Sequence, residues 1–202
     1  MSYKAYSYFL WEAGIVSIRT NPPWFQWTSG RESPIYVDHR RVLGYPFWCR
    51  WIVEELTRKL RFAPSFQAVV GVATGGIPWA AWLSAALGLP LGYIRSEPKA
   101  HGMGRQIEGL PKGIGPILLV EDLLSTGGSA SRAIATLEKE GFPIAAVATL
   151  WSYAGATIAS LPYPLYVLLT FPQALSYWEH MGLLSPYQVT FLWRWYKGEI
   201  QL

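Results

Sequence analysis

The chain has 202 residues, of which 51% are hydrophobic and 15% aromatic, with 17 Lys and Arg against 13 Asp and Glu. This length predicts one domain, at roughly 100–200 residues per domain, and the aromatic-rich, charge-poor composition excludes a disordered chain. The net charge of +4 favours anionic ligands, but there is no run of five basic residues to indicate a nucleic-acid-binding tail.

The pattern of the first third of the chain predicts both strands and helices. An amphipathic segment comes first, followed by a β-hairpin over 25–37 around Ser29-Gly30-Arg31 and a helix over 45–61. The start Met1-Ser2-Tyr3-Lys4 leads into neither an apolar stretch nor a small-residue cleavage site, so we expect no export signal.

Strands and helices alternate from residue 68 onward. Strands are predicted over 68–72, 91–94, 117–121, 144–150 and 165–170, and helices over 77–87, 128–140 and 154–160. Two further helices, over 174–181 and 186–196, follow. This order indicates an α/β protein with βαβ units and an open, mostly parallel sheet flanked by helices.

The stretch 141–178 contains no charged residue and is long enough to span a bilayer. Pro143, Pro162, Pro164 and Pro172 interrupt it, and its apolar pieces have the length of strands. We interpret it as two buried strands of a sheet covered on both faces, and we expect no membrane span.

A long polar connection, 95–115, separates two predicted strands. It carries Arg95, Lys99, His101 and Arg105 among five glycines. Connections of this length are uncommon in compact domains unless they are functional, so we predict a mobile cationic lid. A solvated surface loop without function is the alternative.

Two glycine-bearing turns follow predicted strands, where an open parallel sheet binds its ligands. The turn Ala73-Thr74-Gly75-Gly76 can present backbone N–H groups to an anion. Glu121-Asp122 ends an apolar strand, and Ser125-Thr126-Gly127-Gly128-Ser129 then opens a helix. The loop suits a dianionic phosphate, and the two acids suit vicinal sugar hydroxyls and a positive charge on a ribose ring. The alternative is an N-capped turn with surface acids.

These segments resemble type I phosphoribosyltransferases. Val120-Glu121-Asp122 with Ser125 to Ser129 resembles their phosphoribosyl-pyrophosphate motif. The segment Arg95 to Gly102 resembles the catalytic loop of the orotate phosphoribosyltransferase family. The segment Thr28 to Asp38 resembles the Ser-Gly-x-x-Ser-Pro hairpin of that family, and Gly71 to Pro78 its pyrophosphate loop.

The resemblance implies the type I phosphoribosyltransferase fold with a small N-terminal hood. The chain would then be a single domain over 1–202, with a hood over 1–62, an α/β core over 63–171 and C-terminal helices over 172–202. The implied activity transfers 5-phosphoribosyl from phosphoribosyl pyrophosphate to orotate, giving orotidine 5′-monophosphate and pyrophosphate in pyrimidine biosynthesis. A phosphoribosyltransferase for another base and a non-catalytic phosphoribosyl-pyrophosphate-binding regulator are the alternatives.

The resemblance also implies roles for individual residues. Glu121 and Asp122 would bind the ribose hydroxyls, and Lys99 and His101 would neutralise charge on the leaving pyrophosphate; these four form the catalytic set. The residues implied to bind the phosphoribosyl donor are Arg95, Lys99, His101, Arg105, Thr74, Gly75, Gly76, Glu121, Asp122, Leu123, Leu124, Ser125, Thr126, Gly127, Gly128 and Ser129. Ser125, Ile35 and Tyr36 would contact orotate, and Tyr36 would either stack on the base or only pack.

Mg²⁺ is the implied cofactor, bound mainly through the phosphoribosyl pyrophosphate, because Mg²⁺ keeps few protein ligands. The sequence has neither a CxxC motif nor a Cys/His cluster for another metal. In the family the lid is offered across a dimer interface, so the resemblance implies a homodimer. With a single cysteine, we expect a cytoplasmic protein, with neither a nucleic-acid nor a membrane partner.

The chain departs from some family members that have lysine where Thr28, Gly75 and Ser96 stand here. Arg31, Arg40 and Arg41 are candidates for the replacement charge. Among isolated residues, we expect His39 to be solvated, His180 to be structural and Cys49 to be a small buried residue.

Overall fold

The computed structural model describes residues 2–27, 30–97, 106–153 and 161–202. The described strands are β1 (Val16–Ile18), β2 (Phe25–Gln26), β3 (Glu32–Ser33), β4 (Ile35–Val37), β5 (Ala68–Val72), β6 (Leu91–Ile94), β7 (Ile107–Glu108), β8 (Ile117–Leu124), β9 (Ile144–Ser152) and β10 (Leu165–Thr170). The described helices are α1 (Tyr3–Glu12), α2 (Pro46–Leu60), α3 (Gly76–Leu87), α4 (Gly128–Lys139), α5 (Phe171–His180) and α6 (Pro186–Tyr196), with a 3-10 helix over His39–Gly44.

Contacts divide the chain into two compact units. The terminal unit comprises residues 1–44 and 169–202, and the central unit comprises residues 45–168. The sequence instead predicts boundaries after residues 62 and 171, within one domain. The division of the chain into a hood, an α/β core and C-terminal helices remains a prediction.

The central unit is built on a mostly parallel sheet. Its strands lie in the order β10-β9-β8-β5-β6-β7. β5 pairs in parallel with both β6 and β8, β8 pairs in parallel with β9, and β7 runs antiparallel to β6. The predicted open, mostly parallel sheet is therefore confirmed.

Helices cover both faces of this sheet. Val70, Leu119 and Val147 pack into one cluster with buried residues of α4. Gly71 points to the opposite face, where a Cβ atom on it would lie 2.8 Å from the Cα atom of Ile77 in α3. This double cover explains why β5 and β9 are buried along their whole length and contain no alternation of polar residues.

Strand and helix positions follow the predictions closely, with extensions at the carboxyl ends of two strands. The predicted strands 117–121 and 144–150 continue as β8 to Leu124 and as β9 to Ser152. The extension arises because Leu123 pairs with Trp151 and Leu124 with Ser152, so the ladder runs on past the acidic pair. The predicted short helix 154–160 lies outside the described residues.

Part of the predicted lid, 95–115, is a strand. β7 pairs with β6 through Ile107 opposite Ile94, and Ile107 and Leu110 pack against the central core. The prediction of one continuous polar connection is therefore wrong for this portion. Two apolar residues three apart gave too weak a local signal to indicate that the chain returns to the sheet edge.

The predicted hairpin over 25–37 is wrong in its second half. β2 and β3 form a short antiparallel hairpin, but β4 pairs antiparallel with β1, with Ile35 opposite Ile18. Ser33 ends the hairpin, because its side-chain Oγ donates to the Ile35 carbonyl at 2.8 Å and accepts from the Ile35 N–H at 3.2 Å. Local alternation alone does not identify this change of pairing partner.

In the terminal unit, α1 packs against α5. Tyr6 and Leu10 of α1 are fully buried, and Trp178 of α5 donates its indole N–H to the Ser7 carbonyl at 3.0 Å. Both α5 and α6 begin with a capping box, formed by Thr170 with Gln173 and by Ser185 with Gln188.

Three isolated residues can be compared with their predictions. Cys49 is buried as expected, whereas His39 is only 1% exposed and the prediction that it is solvated is wrong. His39 lies on the 3-10 helix three residues before buried Val42, and residues at this spacing share one face of such a helix. Burial lowers the pKa of His39 to about 3. His180 lies exposed at the end of α5.

The apolar stretch 141–178 forms β9, β10 and most of α5 in the described part of the chain. No helix among the described residues is both long and apolar enough to cross a membrane. The interpretation of this stretch as two strands is confirmed.

Candidate functional site

Glu121 and Asp122 lie near the carboxyl end of β8, in the centre of the sheet. Val120 and Glu121 pair with Ala148 and Thr149 of β9. Successive residues of a strand point to opposite faces, so the two neighbouring carboxylates project in different directions. Glu121 is buried, at 6% exposure, whereas Asp122 is half-buried.

The Glu121 carboxyl group is buried and has one hydrogen bond among the described residues. Its Oε1 accepts a hydrogen bond from Ser129 Oγ at 2.5 Å, and its buried Oε2 has no hydrogen-bond partner among the described residues. Burial is the largest effect on Glu121 and raises its pKa to about 7. The hydrogen bond from Ser129 and the positive charge of Arg132 act in the opposite direction and lower this pKa. The negative charge of Asp122 raises this pKa further. Glu121 is therefore poised to exchange a proton near neutral pH.

The Ser125 to Ser129 loop joins β8 to the first turn of α4. Gly127 has φ of +77°, a left-handed conformation that favours glycine, and α4 begins at Gly128. The first turn of α4 contains no acidic residue, so its free N–H groups and the positive end of the helix dipole are available to an anion. Leu124 belongs to the preceding strand, where its carbonyl accepts from the Tyr153 N–H at 3.2 Å.

The turn between β5 and α3 lies against the acidic pair. A Cβ atom on Gly75 would lie 2.3 Å from Asp122 Oδ2, and one on Gly76 would lie 2.4 Å from the Val120 carbonyl oxygen. Because β5 and β8 are parallel neighbours, their carboxyl ends lie at the same edge of the sheet. The two predicted binding loops therefore meet there. Glycine is required at position 76, where a Cβ atom would clash with backbone, whereas a side chain at position 75 would require the Asp122 carboxylate to move. The peptide bond between Ala73 and Thr74 in this turn is cis.

Arg95 follows β6 at the same carboxyl edge. Its Nη2 donates to the Tyr93 hydroxyl at 3.1 Å, its guanidinium lies 5.5 Å from the centre of the Tyr93 ring, and its Nε lies 3.8 Å from Glu108 Oε1. These contacts keep Arg95 near the strand ends with its charge partly compensated. The other predicted lid cations, Lys99, His101 and Arg105, lie outside the described residues.

Ile35 and Tyr36 belong to the terminal unit. The Ile35 side chain is fully buried. The half-buried Tyr36 ring stacks on Phe25 at 5.7 Å, and its hydroxyl accepts from Arg40 Nη2 at 3.0 Å. The backbone N–H and carbonyl of Ile35 both bond to Ser33 Oγ.

The arginines considered as replacement cations have partners within the terminal unit. Arg31 lies over the Trp27 and Trp195 rings at 5.7 and 5.5 Å. Arg40 pairs with Asp38 at 2.7 Å, and Arg41 donates to the Gly14 and Ala13 carbonyls. Ser96 is exposed after β6, and Thr28 lies outside the described residues.

Two contributors to the site were not found from the sequence. Arg132 lowers the pKa of Glu121 by its charge, and Glu108 partners Arg95. Arg132 stands three residues after Ser129 on α4, a spacing that places both on one helix face and was a usable signal. Glu108 carried no such signal, because its approach depends on the pairing of β7 with β6.

Comparison with known proteins gives consistent matches over most of the chain. The model of the phosphoribosyl transferase domain matches residues 49–170. An orotate phosphoribosyltransferase of Lactiplantibacillus plantarum is 38% identical, over 89% of this chain and 87% of that protein. The orotate phosphoribosyltransferase of Bacillus caldolyticus is 36% identical, over 92% of each. The crystal structure of orotate phosphoribosyltransferase from Aeropyrum pernix has a TM-score of 0.71 at 32% identity, over 89% of this chain and 99% of that chain.

Proposed function

Because the chain belongs to the orotate phosphoribosyltransferase family of phosphoribosyl transferase domains, we propose that it transfers 5-phosphoribosyl from phosphoribosyl pyrophosphate to orotate. The products are orotidine 5′-monophosphate and pyrophosphate, as in pyrimidine biosynthesis. The observation that carries the proposal is the meeting of the Gly75-Gly76 turn with Asp122 at the sheet edge, beside the loop that opens α4. The family is one of pentosyltransferases.

The two loops divide the donor between them in this proposal. The N–H groups and hydroxyls of Ser125, Thr126, Gly127, Gly128 and Ser129 bind the 5′-phosphate, with Leu123 and Leu124 leading the chain into that loop. Thr74, Gly75 and Gly76 bind the pyrophosphate through backbone groups, since the close packing of this turn leaves little room for side chains at the two glycines.

Glu121 and Asp122 take the ribose in this arrangement. Carboxylates accept hydrogen bonds from vicinal hydroxyls, and the buried Glu121 Oε2 is an acceptor with no partner among the described residues. As the bond from C1′ to the pyrophosphate oxygen breaks, the electron pair leaves with pyrophosphate and C1′ becomes cationic. The acidic pair stabilises that charge electrostatically while a ring nitrogen of orotate supplies the new bond.

The lid neutralises the leaving group. Lys99 and His101 are assigned by resemblance to the catalytic set, and Arg95 and Arg105 assist them as donor-binding cations. Arg95 is already held at the carboxyl edge by Tyr93 and Glu108. Exchanging the Glu108 contact, 3.8 Å long, for a pyrophosphate oxygen costs little, because a long, partly exposed ion pair contributes weakly to stability.

Mg²⁺ fits the chemistry of this site. The described residues contain no cluster of three or more His, Cys, Asp or Glu side chains that would hold a metal ion by themselves. Glu121 and Asp122 nevertheless offer oxygen atoms, the ligands that Mg²⁺ prefers, and the donor supplies phosphate oxygens. When bound, Mg²⁺ offsets negative charge on the pyrophosphate.

Orotate contacts are assigned to Ser125, Ile35 and Tyr36. Since the Ile35 side chain is buried, the contact assigned to Ile35 is made through its backbone, which Ser33 holds in place. The Tyr36 ring stacks on Phe25 and is only half-buried, so part of the ring remains accessible to a base.

A homodimer that shares the lid completes the proposal. α2 and α3 pack together and expose large aromatic side chains, with Phe47 at 58% and Trp82 at 39% exposure. Exposed aromatic residues on packed helices are typical of subunit interfaces. A cytoplasmic location agrees with a sequence whose single cysteine, Cys49, cannot form a disulfide bond within the chain.

The proposal is tested by mixing the purified protein with orotate, phosphoribosyl pyrophosphate and Mg²⁺ and following orotate absorbance. Consumption of orotate with stoichiometric release of pyrophosphate is expected. If the protein binds the donor and consumes adenine, uracil or no base instead, the proposed substrate is wrong.

A further inference from the structure

The β2–β3 hairpin is too small to hold its position alone. It contains only two residue pairs, Phe25 with Ser33 and Gln26 with Glu32, and the Trp27 N–H closes its turn on the Arg31 carbonyl at 2.9 Å. Two-stranded hairpins of this size are marginally stable in water. The hairpin therefore depends on the elements that pack against it.

The helix α6, within the same terminal unit, is one of these elements; Arg19 is another contact, with its guanidinium 4.1 Å from the Phe25 ring centre. Trp24, which enters the hairpin, stacks on Phe191 with ring centres 5.7 Å apart and planes 20° from parallel. Trp27, which leaves β2, meets Trp195 edge to face at 6.0 Å. The two contacts lie one helical turn apart on α6, so they fix the hairpin at two points.

Arg31 adds a third connection at the tip of the hairpin. Its guanidinium lies 5.7 Å from the Trp27 ring centre and 5.5 Å from the Trp195 ring centre. A cation between two indole rings is attracted by both. The positive charge of Arg31 therefore attracts both Trp27 of the hairpin and Trp195 of α6.

The helix is itself anchored. Trp195 is 4% exposed and also packs edge to face on Phe171 of α5, at 5.9 Å. The capping box of Ser185 and Gln188 fixes the start of α6. The contact that Trp195 makes with the hairpin is therefore supported in turn by α5.

From the hairpin the contacts continue to Tyr36. Phe25 of β2 stacks on Tyr36 at 5.7 Å, and Ser33 of β3 is bonded to the backbone of Ile35. A displacement of the hairpin would therefore move the residues assigned to orotate.

We propose that Phe191 and Trp195 of α6 are positioning residues for orotate, acting through the β2–β3 hairpin without touching the substrate. This inference rests on the proposed function. It adds to that function a determinant of base binding in the last helix, far from the donor motif in the sequence.

The test compares two leucine substitutions of half-buried aromatic residues on the same helix. Phe191→Leu removes the stack on Trp24, whereas Trp193→Leu removes a ring that contacts Tyr196 and Glu179 but no hairpin residue among those described. We expect Phe191→Leu to raise KM for orotate about three- to tenfold, the range that one aromatic pair contributes. The KM for phosphoribosyl pyrophosphate should stay unchanged, and Phe191→Tyr, which keeps a stacking ring, should restore the orotate KM. Trp193→Leu should leave both constants unchanged.

Hydrogen–deuterium exchange provides a readout that needs no turnover. Amides of the hairpin should exchange faster in Phe191→Leu than in wild type and in Trp193→Leu. Equal exchange in the two variants, or an equal rise of both KM values in Phe191→Leu, would overturn the inference. Failure of the wild type to consume orotate would instead overturn the proposed function, and the exchange comparison would still decide whether α6 supports the hairpin.

Discussion

Glu121→Gln provides the sharpest test of the electrostatics of the site. The substitution keeps the size of the side chain and an acceptor for Ser129 Oγ, but it removes the ability to ionise. Burial raises the pKa of Glu121 from its ordinary 4.5 to about 7. In the unfolded chain the same group ionises at its ordinary pKa, so between pH 4.5 and 7 the unfolded state binds fewer protons than the folded state.

The stability of the ligand-free wild type therefore falls, through this group, as the pH rises across that interval. One pKa unit corresponds to about 1.4 kcal/mol, so the difference between 4.5 and about 7 corresponds to a loss of about 3 kcal/mol above pH 7. Glu121→Gln does not suffer this loss. At about 2–4 °C per kcal/mol for a chain of this size, its Tm should exceed that of wild type by about 6–12 °C at pH 8.

The assay is thermal unfolding of both proteins without ligand at pH 5 and pH 8. At pH 5 the expected advantage of the variant is below about 1 kcal/mol, because Glu121 is then protonated in the folded state and only partly ionised in the unfolded state. The comparison between variants is essential because buried His39, with its pKa lowered to about 3, makes stability rise with pH up to about 6.5 in both proteins.

Glu55→Gln is the matched control, with the opposite sign. Hydrogen bonding to Arg58 lowers the pKa of Glu55, so its carboxylate stabilises the folded state above the ordinary pKa and that contribution is lost at acid pH. Its replacement should lower Tm slightly at pH 8, by the small amount typical of a surface ion pair. A Tm advantage of Glu121→Gln that is equal at pH 5 and pH 8 would refute the assignment of a raised pKa to the buried Glu121 carboxyl group.

Other substitutions test the remaining parts of the site and fold. Lys99→Ala should reduce turnover by at least about a hundredfold, while donor binding measured by calorimetry changes little. Asp122→Asn should impair both turnover and donor binding. An equal loss of donor binding in the two variants would contradict the separate roles of Lys99 and Asp122. Gly75→Ala should weaken donor binding about tenfold or more, because its Cβ atom would lie 2.3 Å from Asp122 Oδ2 and would displace that carboxylate. Gly44→Ala, whose Cβ atom would meet no described atom within 4 Å, should bind the donor as wild type does; equal affinities of the two variants would show that Asp122 moves aside without loss of binding. Thr170→Ala removes the capping box of α5 and should lower the free energy of unfolding by about 1 kcal/mol, measured by urea denaturation, with unchanged turnover in native conditions.

The donor motif was predictable because all its residues are consecutive. An apolar strand that ends in Glu121 and Asp122 and a loop that opens a helix at Gly128 require only local geometry, so sequence pattern and family resemblance located them. The continuous apolar strands β5 and β9 were predictable for a related reason: a strand buried on both faces needs apolar residues throughout.

Other properties depend on elements that are distant in the sequence. The contact between Gly75 and Asp122 arises because β5 and β8 are neighbours in the sheet, and the position of Arg95 depends on the return of the chain at Glu108. The pairing of β4 with β1 and the burial of His39 likewise follow from packing within the terminal unit.

Sequence by itself determined which chemical groups this protein carries at its sheet edge, because their types and spacing are local. Only the tertiary structure decided their protonation and their neighbours. The pKa of Glu121 is raised because packed elements remove water from its carboxyl group, and desolvation is a property of the surrounding volume that no local run of residues encodes.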